Sequence, residues 1–342
     1  MNSSLGFVVW LALGSMAWAV DWMRLPSLPD EHGFAGSFAG VSQGSLIVAG
    51  GTNFPSEKPW KGGKKVWYDR VYALAEPTGK WQLMGQLPLP SAYGVSLTTA
   101  AGFLLIGGGD ANQHFDSVWR LEVRRGHVVA EALPVLPKPC AFMTGAVEGS
   151  RVYVAGGIQH PDDSQAMAHV WMLDLESRSL GWQTLPPCPG KPRILAQMAA
   201  TGGAIYLIGG AALRRGKEGG VTREWLQDVW RFSDREGWMP LANLPHSIVG
   251  APSPVQTAAG KLWVFGGDDG LLVDFQPKEQ HPGFSKHMLT YDVIHDVWAH
   301  ESNLPFALVT TPIVPWRDHW VIPGGESRPG TRSSEVWWCR MP

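Results

Sequence analysis

Six short runs of apolar residues, each closed by a pair of glycines, recur along the chain. They are SLIVAGG ending at Gly51, FLLIGGG around Gly108, RVYVAGG ending at Gly157, AIYLIGG ending at Gly210, KLWVFGG ending at Gly267 and HWVIPGG ending at Gly325. Each is too short for a helix and rich in Val, Ile, Leu and aromatic residues, which predicts a buried strand stopped by glycine. A second run follows in every unit, with an aromatic at a corresponding place: VWYDRVYAL, DSVWRLEV, AHVWMLDL, QDVWRFS, MLTYDV and SEVWWC. A turn then leads to a third strand headed by Trp81, Trp182, Trp238 or Trp298, with Ala130 in the Trp place of the second unit. Beyond it lie Leu87-Pro88, Leu136-Pro137, Cys188-Pro189, Leu244-Pro245 and Leu304-Pro305. A run of small residues, such as SAYGVSL or IVGAPSPV, precedes the next double glycine and supplies the fourth strand.

The last unit is incomplete. Residues 318–338 provide two strands and the loop between them, and the missing third strand stands at the other end of the chain, as Trp22 followed by Leu28-Pro29. A final repeat that borrows a strand from the N-terminus closes a ring. The expected fold is therefore all-β, a six-bladed propeller over residues 20–342 whose last blade is closed by the N-terminal strand. The repeat spacing of about 50 to 58 residues, the double glycines and the spaced Trp resemble the kelch family. Composition agrees: 41 Gly, 27 Pro and only 17% charged residues suit many short strands and turns. The 18 Trp fall mostly at repeated places, so they are read as packing between blades.

Charge and cysteine usage narrow the function. A formal charge of −2 without a Lys/Arg cluster argues against a nucleic-acid partner. Cys140, Cys188 and Cys339 are too far apart for a disulfide framework or a zinc motif. The 11 His are scattered without metal-ligand spacing, so neither metal nor cofactor is expected. Residues 1–19 read as a secretory signal, an apolar run at 7–13 followed by Ala17-Trp18-Ala19, which implies a periplasmic or secreted protein. No other stretch is long and apolar enough to span a membrane after its removal.

If the small-residue run is the innermost strand, the turns on one face of the ring are short. The segments on the other face are long, at 52–65, 158–168, 211–227 and 268–287. Long loops on a rigid scaffold place the binding site on that face, at the mouth of the central channel. Glu326, Arg332, Asn53, Asp110, Asp268 and Asp269 belong to it, and Arg193 arrives there from a Leu-Pro-type connection. Inner strands of Gly, Ala and Ser are expected to leave the channel open enough for a small ligand.

The segment GESRPGTR resembles the Gly-Glu-x-x-Pro-Gly-x-Arg loop of the bacterial N-acetylneuraminate epimerases, the sialic acid mutarotases, which are secreted kelch propellers. GFAGSFAGVSQGSLIVAGGTNFP, AYGVSL followed by LLIGG, and KPRILAQ before IYLIGG resemble further blocks of that family, in a rotated order, as in a cyclic permutation. The resemblance implies an isomerase acting on a small sugar acid, with Glu326 transferring protons and Arg332 as its partner or as a clamp on the substrate carboxylate. Arg193 matches the arginine of the family's Pro-Arg block, although Ile194-Leu195 replace the polar pair expected after it. Arg193, Asn53 and Tyr93 are the candidates for substrate contact. The alternative is a non-catalytic kelch propeller that binds a glycan or a protein.

Overall fold

The computed structural model describes residues 20–100, 102–216 and 219–342; the expected signal at 1–19 lies outside them. Six four-stranded antiparallel sheets form the blades. From the inside outward, blade 1 is Phe38–Ser42, Ser45–Ala49, Arg70–Leu74 and Gln82–Gln86, and blades 2 to 5 repeat this order. The small-residue runs are the innermost strands, as expected, and through them blades 6, 1, 2, 3, 4 and 5 adjoin in that order. In blade 6, Val314–Trp316, His319–Pro323 and Val336–Arg340 come from the C-terminal end of the chain. Its outermost strand is Trp22–Leu25, which pairs antiparallel with Val336–Arg340, Trp22 opposite Cys339 and Leu25 opposite Val336.

The core is not one mass but six slabs, each between two neighbouring blades. Between blades 2 and 3, Leu97, Leu104 and Ile106 meet Val152, Val154 and Trp171. Between blades 6 and 1, Leu25, Val321 and Val336 meet Leu46, Val48 and Tyr72. Four further slabs complete the circle. No blade can bury its faces alone, so the ring folds only if it closes.

Two sets of repeated hydrogen bonds bind blade to blade. The indole N–H groups of Trp81, Trp182, Trp238 and Trp298 donate to the carbonyls of Pro26, Pro134, Pro186 and Ala242, each in the preceding blade. The repeated Trp is thus a packing residue with a polar handle. Ala130 breaks the series, and Trp22 holds the place in blade 6 by edge-on packing against Phe306 and Phe265, at 4.9 and 5.6 Å between ring centres. The double glycines supply the second set. The N–H groups of Gly51, Gly108, Gly157, Gly210 and Gly325 donate to the carbonyls of Ser91, Cys140, Arg193, Ile248 and Phe34, again in the adjoining blade. Gly107, at φ +60°, shows why no side chain fits here: a Cβ would stand 2.4 Å from the Cys140 carbonyl oxygen.

The ring closure and one part-buried histidine each have a measurable consequence. Trp22→Ala removes the edge-on contacts that hold the closing strand and is expected to lower stability by about 2–4 kcal/mol, read as a lower midpoint of urea unfolding. His169 is stacked 3.5 Å from Trp171, and neither ring nitrogen has a hydrogen-bond partner among the described residues. Burial first, and the charge of Lys138 second, push its pKa down from 6.5 to about 3. The folded protein keeps this imidazole neutral while the unfolded chain protonates it. Its contribution to stability is therefore complete above pH ~6.5 and is lost as the pH falls toward ~3. His169→Phe should flatten the acid limb of the stability–pH curve in that window.

Candidate active site

One residue follows each double glycine onto the long-loop face: Thr52, Gly109, Ile158, Ala211, Asp268 and Glu326. Each exchanges backbone hydrogen bonds with a residue ahead of the innermost strand of its own blade, Glu326 with Val309 and Asp268 with Val249. These six positions are equivalent, and among them only Asp268 and Glu326 carry a charge. In blades 1, 4 and 6 the chain then rises as a two-stranded ribbon, Thr52–Asn53 with Val66–Trp67, Ala211–Arg215 with Val221–Trp225, and Glu326–Arg328 with Thr331–Arg332.

One residue further inward stands a second ring of six: Gly36, Tyr93, Phe142, Leu195, Gly250 and Thr310, all with φ between +51° and +65°. Their backbones form a closed circuit. Each N–H donates to the carbonyl of the neighbour on one side, at 2.6 to 2.8 Å, from Gly36 to Thr310, Gly250, Leu195, Phe142, Tyr93 and back to Gly36. Left-handed backbone at Tyr93, Phe142 and Leu195 costs energy that this circuit and the surrounding packing must offset. The circuit narrows the channel. Below it lies a chamber of about 70 Å³, and above it a cavity of about 780 Å³ open to the long-loop face. Tyr93, Phe142, Leu195, Gly250 and Thr310 line both spaces, and the one of ligand size is the cavity above.

Glu326 and Arg332 lie opposite each other in the blade 6 ribbon and line this cavity together with Tyr93, Lys65, Asp268 and Trp225. Gly330, at φ +74° in the ribbon turn, donates its N–H to Glu326 Oε1 at 2.6 Å. A Cβ there would collide with Pro59 and Trp60, so the turn needs glycine both for its conformation and for the close approach of the blade 1 loop. Arg332 Nη1 lies 2.8 Å from the same Glu326 oxygen, with the two side chains only 4% and 17% exposed. That contact is one of charge rather than a directed hydrogen bond, since the Nη1 hydrogens point elsewhere; Nε also lacks a partner among the described residues. Nη2 donates to the Tyr93 hydroxyl at 3.3 Å, and the guanidinium lies 4.8 Å over the Phe54 ring. Tyr93 is fixed in turn by Thr52, whose hydroxyl is 2.9 Å from its own, and by stacking on Phe142 at 4.7 Å. Glu326 Oε1 is thus held twice, while Oε2 makes no hydrogen bond within the described protein.

Asn53 and Arg193, expected to contact substrate, do not line the cavity. Asn53 is fully buried; its amide nitrogen donates to Asp30 and to the Gly33 carbonyl, and its oxygen accepts from Tyr68. The reason is strand alternation: Thr52 faces the cavity side, so its neighbour faces the opposite way. There Asn53 fastens the segment that leads from the closing strand into blade 1. Arg193 is 2% exposed and forms a two-pronged pair with Asp228, at 2.9 and 2.6 Å, while Nη1 also donates to the Gly209 carbonyl and Nε to that of Lys191. Its own carbonyl accepts from Gly157, so it locks blade 3 to blade 4. Asp110 caps a turn through the N–H groups of Asn112 and Gln113, and Asp269 accepts from Leu271. Lys65 and Trp225 carry no signal of their own in the sequence; both sit in or beside the outer strand of a ribbon, where the sequence predicts long loops.

Among the described residues no group of three or more His, Cys, Asp or Glu is arranged to hold a metal ion. No described helix is long and apolar enough to cross a membrane.

The sequence model of the N-acetylneuraminate epimerase family matches residues 12–129. The N-acetylneuraminate epimerase of Haemophilus influenzae (strain PittEE) is 41% identical over 103 residues, 26% of this chain and 27% of that protein. That of Salmonella enteritidis PT4 is 36% identical over 126 residues, 32% of each. The alignments thus span about a quarter to a third of the length of these relatives, and the family match takes in Asn53, Lys65 and Tyr93 but not Glu326 or Arg332. In three dimensions the likeness is wider. The solved structure of YjhT superposes with a TM-score of 0.66 over 91% of this chain and 95% of that one at 16% identity, which supports the propeller fold.

Burial tends to raise the Asp228 carboxyl, but the hydrogen bonds and charge of Arg193, with the Trp230 indole, outweigh it and leave its pKa below the usual carboxylate range. Asp228→Asn would leave the Arg193 guanidinium buried without its counter-charge. Because Asp228 is about a third exposed, the expected loss is about 2–3 kcal/mol, below that for a fully buried pair. Thermal unfolding should show it, with ligand affinity per folded molecule unchanged.

Proposed function

We propose that the chain is a sugar-acid mutarotase of the N-acetylneuraminate type, exported to the periplasm or beyond, which interconverts the α and β anomers of a 2-keto sugar acid. The carrying observation is the state of Glu326. One carboxylate oxygen is fixed by the Gly330 N–H and by Arg332, and the other is unspent in a cavity of ligand size. The partial alignments with N-acetylneuraminate epimerases and the GESRPGTR motif support the substrate class.

Anomer exchange needs little more than such a group. Glu326 takes the proton of the anomeric hydroxyl as the bond from the anomeric carbon to the ring oxygen breaks, and hands that proton to the ring oxygen. The open-chain ketone rotates about the bond next to its carbonyl, and the reverse proton transfers close the ring on the other face. Proton transfers alone make up the balance, so no cofactor is required. A carboxylate whose second oxygen is fixed reaches both sugar oxygens without searching for a rotamer. Arg332 keeps the carboxylate in place and offsets its charge while the proton is away.

Glu326→Gln preserves the shape and removes the proton acceptor. Catalysed exchange, followed by NMR between the anomeric forms of N-acetylneuraminate, should fall roughly 10² to 10⁴-fold. A variant as fast as wild type would refute the role. A wild-type protein that shifts the ligand's resonances without speeding exchange would identify a non-catalytic glycan-binding propeller instead.

A further inference from the structure

We propose that Lys65, and not Arg332, is the group that binds the carboxylate of the ligand; this rests on the sugar-acid reading above. Lys65 stands just before the Val66–Trp67 strand of the blade 1 ribbon, and its ammonium lies within a ring of aromatic faces. The centres of Tyr93, Trp67 and Phe54 are 5.1, 5.5 and 5.9 Å from Nζ. The rings' negative faces hold the cation where it is and offer no hydrogen-bond acceptor in their planes. An ammonium has three donors and no acceptor. Among the described residues it forms no ion pair, whereas Arg332 is paired with Glu326.

Charge accounting at this end of the cavity gives the assignment. Lys65 and Arg332 lie against the same Phe54 ring, and the carboxylate beside them is Glu326. Arg332 and Glu326 offset one another, which leaves one positive charge, on Lys65, at this end; farther along the wall Arg223 and Lys278 are matched in number by Asp268 and Asp274. A monoanion completes the set. Arg332 is poorly placed for that task, being 4% exposed and engaged by Glu326, Tyr93 and Phe54. The two cations therefore divide the work: Arg332 holds the acid–base carboxylate, and Lys65 receives the substrate's. Because Tyr93 touches both, the bound carboxylate is brought to the same side of the cavity as Glu326, next to the anomeric carbon that bears it.

The test compares the affinity of wild type, Lys65→Met, Lys65→Arg and Glu326→Gln for N-acetylneuraminate and for its neutral methyl ester, by calorimetry. Lys65→Met should weaken binding of the acid about 10- to 100-fold, the value of a hydrogen bond to a charged partner, and leave the ester within about twofold. Lys65→Arg should recover most of the difference. Equal thermal midpoints control for folding, and Lys65→Gln replaces the Met variant if it unfolds. Acid affinity unchanged in Lys65→Met, or lost equally for acid and ester, overturns the assignment. If that happens while Glu326→Gln still abolishes exchange, the mutarotase reading stands and only Lys65 falls. A wild type that neither binds the acid nor speeds its exchange overturns both.

Discussion

Pairing of Trp22–Leu25 with Val336–Arg340 is the constraint on which the rest of the molecule depends. Every apolar slab is shared by two blades, so an open ring would leave two blade faces in water, one on each side of the gap. The closing strand removes that gap by joining the two ends of the chain in one sheet. It acts beyond its own four residues. The segment after it carries Pro26, the acceptor of the Trp81 indole, then Leu28, whose N–H donates to Ser334, and then Asp30 and Gly33, which Asn53 holds. Blade 6, blade 1 and the ribbon that carries Glu326 and Arg332 are thereby tied into one corner of the ring.

The cavity is built from the same repeat that builds the fold. A double glycine ends the second strand of each blade and turns the following residue onto one face. At six equivalent places the chain can therefore present a side chain around the axis, and the residue chosen at each decides the chemistry. Five are Thr, Gly, Ile, Ala and Asp; the sixth is Glu326. Inside them the circuit of six backbone hydrogen bonds forms the base of the cavity, just below these side chains. The scaffold is symmetrical and the site is not: among the described residues blades 1, 4 and 6 extend into ribbons, and while the blade 4 ribbon pairs Arg214 with Glu224 away from the cavity, the blade 6 ribbon sets its Arg332–Glu326 pair in the cavity wall.

Much of this was legible in the chain. The apolar runs, the glycines and the spaced Trp gave blade number, strand order and ring closure, because each is a local pattern repeated at a fixed period. Glu326 and Arg332 were legible because they share one short turn. What escaped depends on direction rather than position. Asn53 is next to a cavity-side residue, but period-2 alternation turns it into the wall. Arg193 lies in the right connection, yet a partly exposed carboxylate 35 residues further on, Asp228, claims its guanidinium. The floor of the cavity is made of main-chain groups, which leave no trace in residue type: Gly, Tyr, Phe, Leu and Thr all serve there. Lys65 is an unremarked lysine in the sequence and becomes distinctive only when three rings from two blades surround it.

Glu326 and Arg332 on one side of the cavity, and Lys65 beside them, give a site suited to a small anion whose reaction is a proton exchange. The partial alignments with N-acetylneuraminate epimerases support the proposed substrate class. The most direct test is two-dimensional NMR exchange spectroscopy of N-acetylneuraminate with catalytic amounts of the wild-type protein. The account predicts cross-peaks between the α and β anomers that grow with protein concentration and are absent without it. Cross-peaks no stronger than in buffer, from a folded protein, would contradict it.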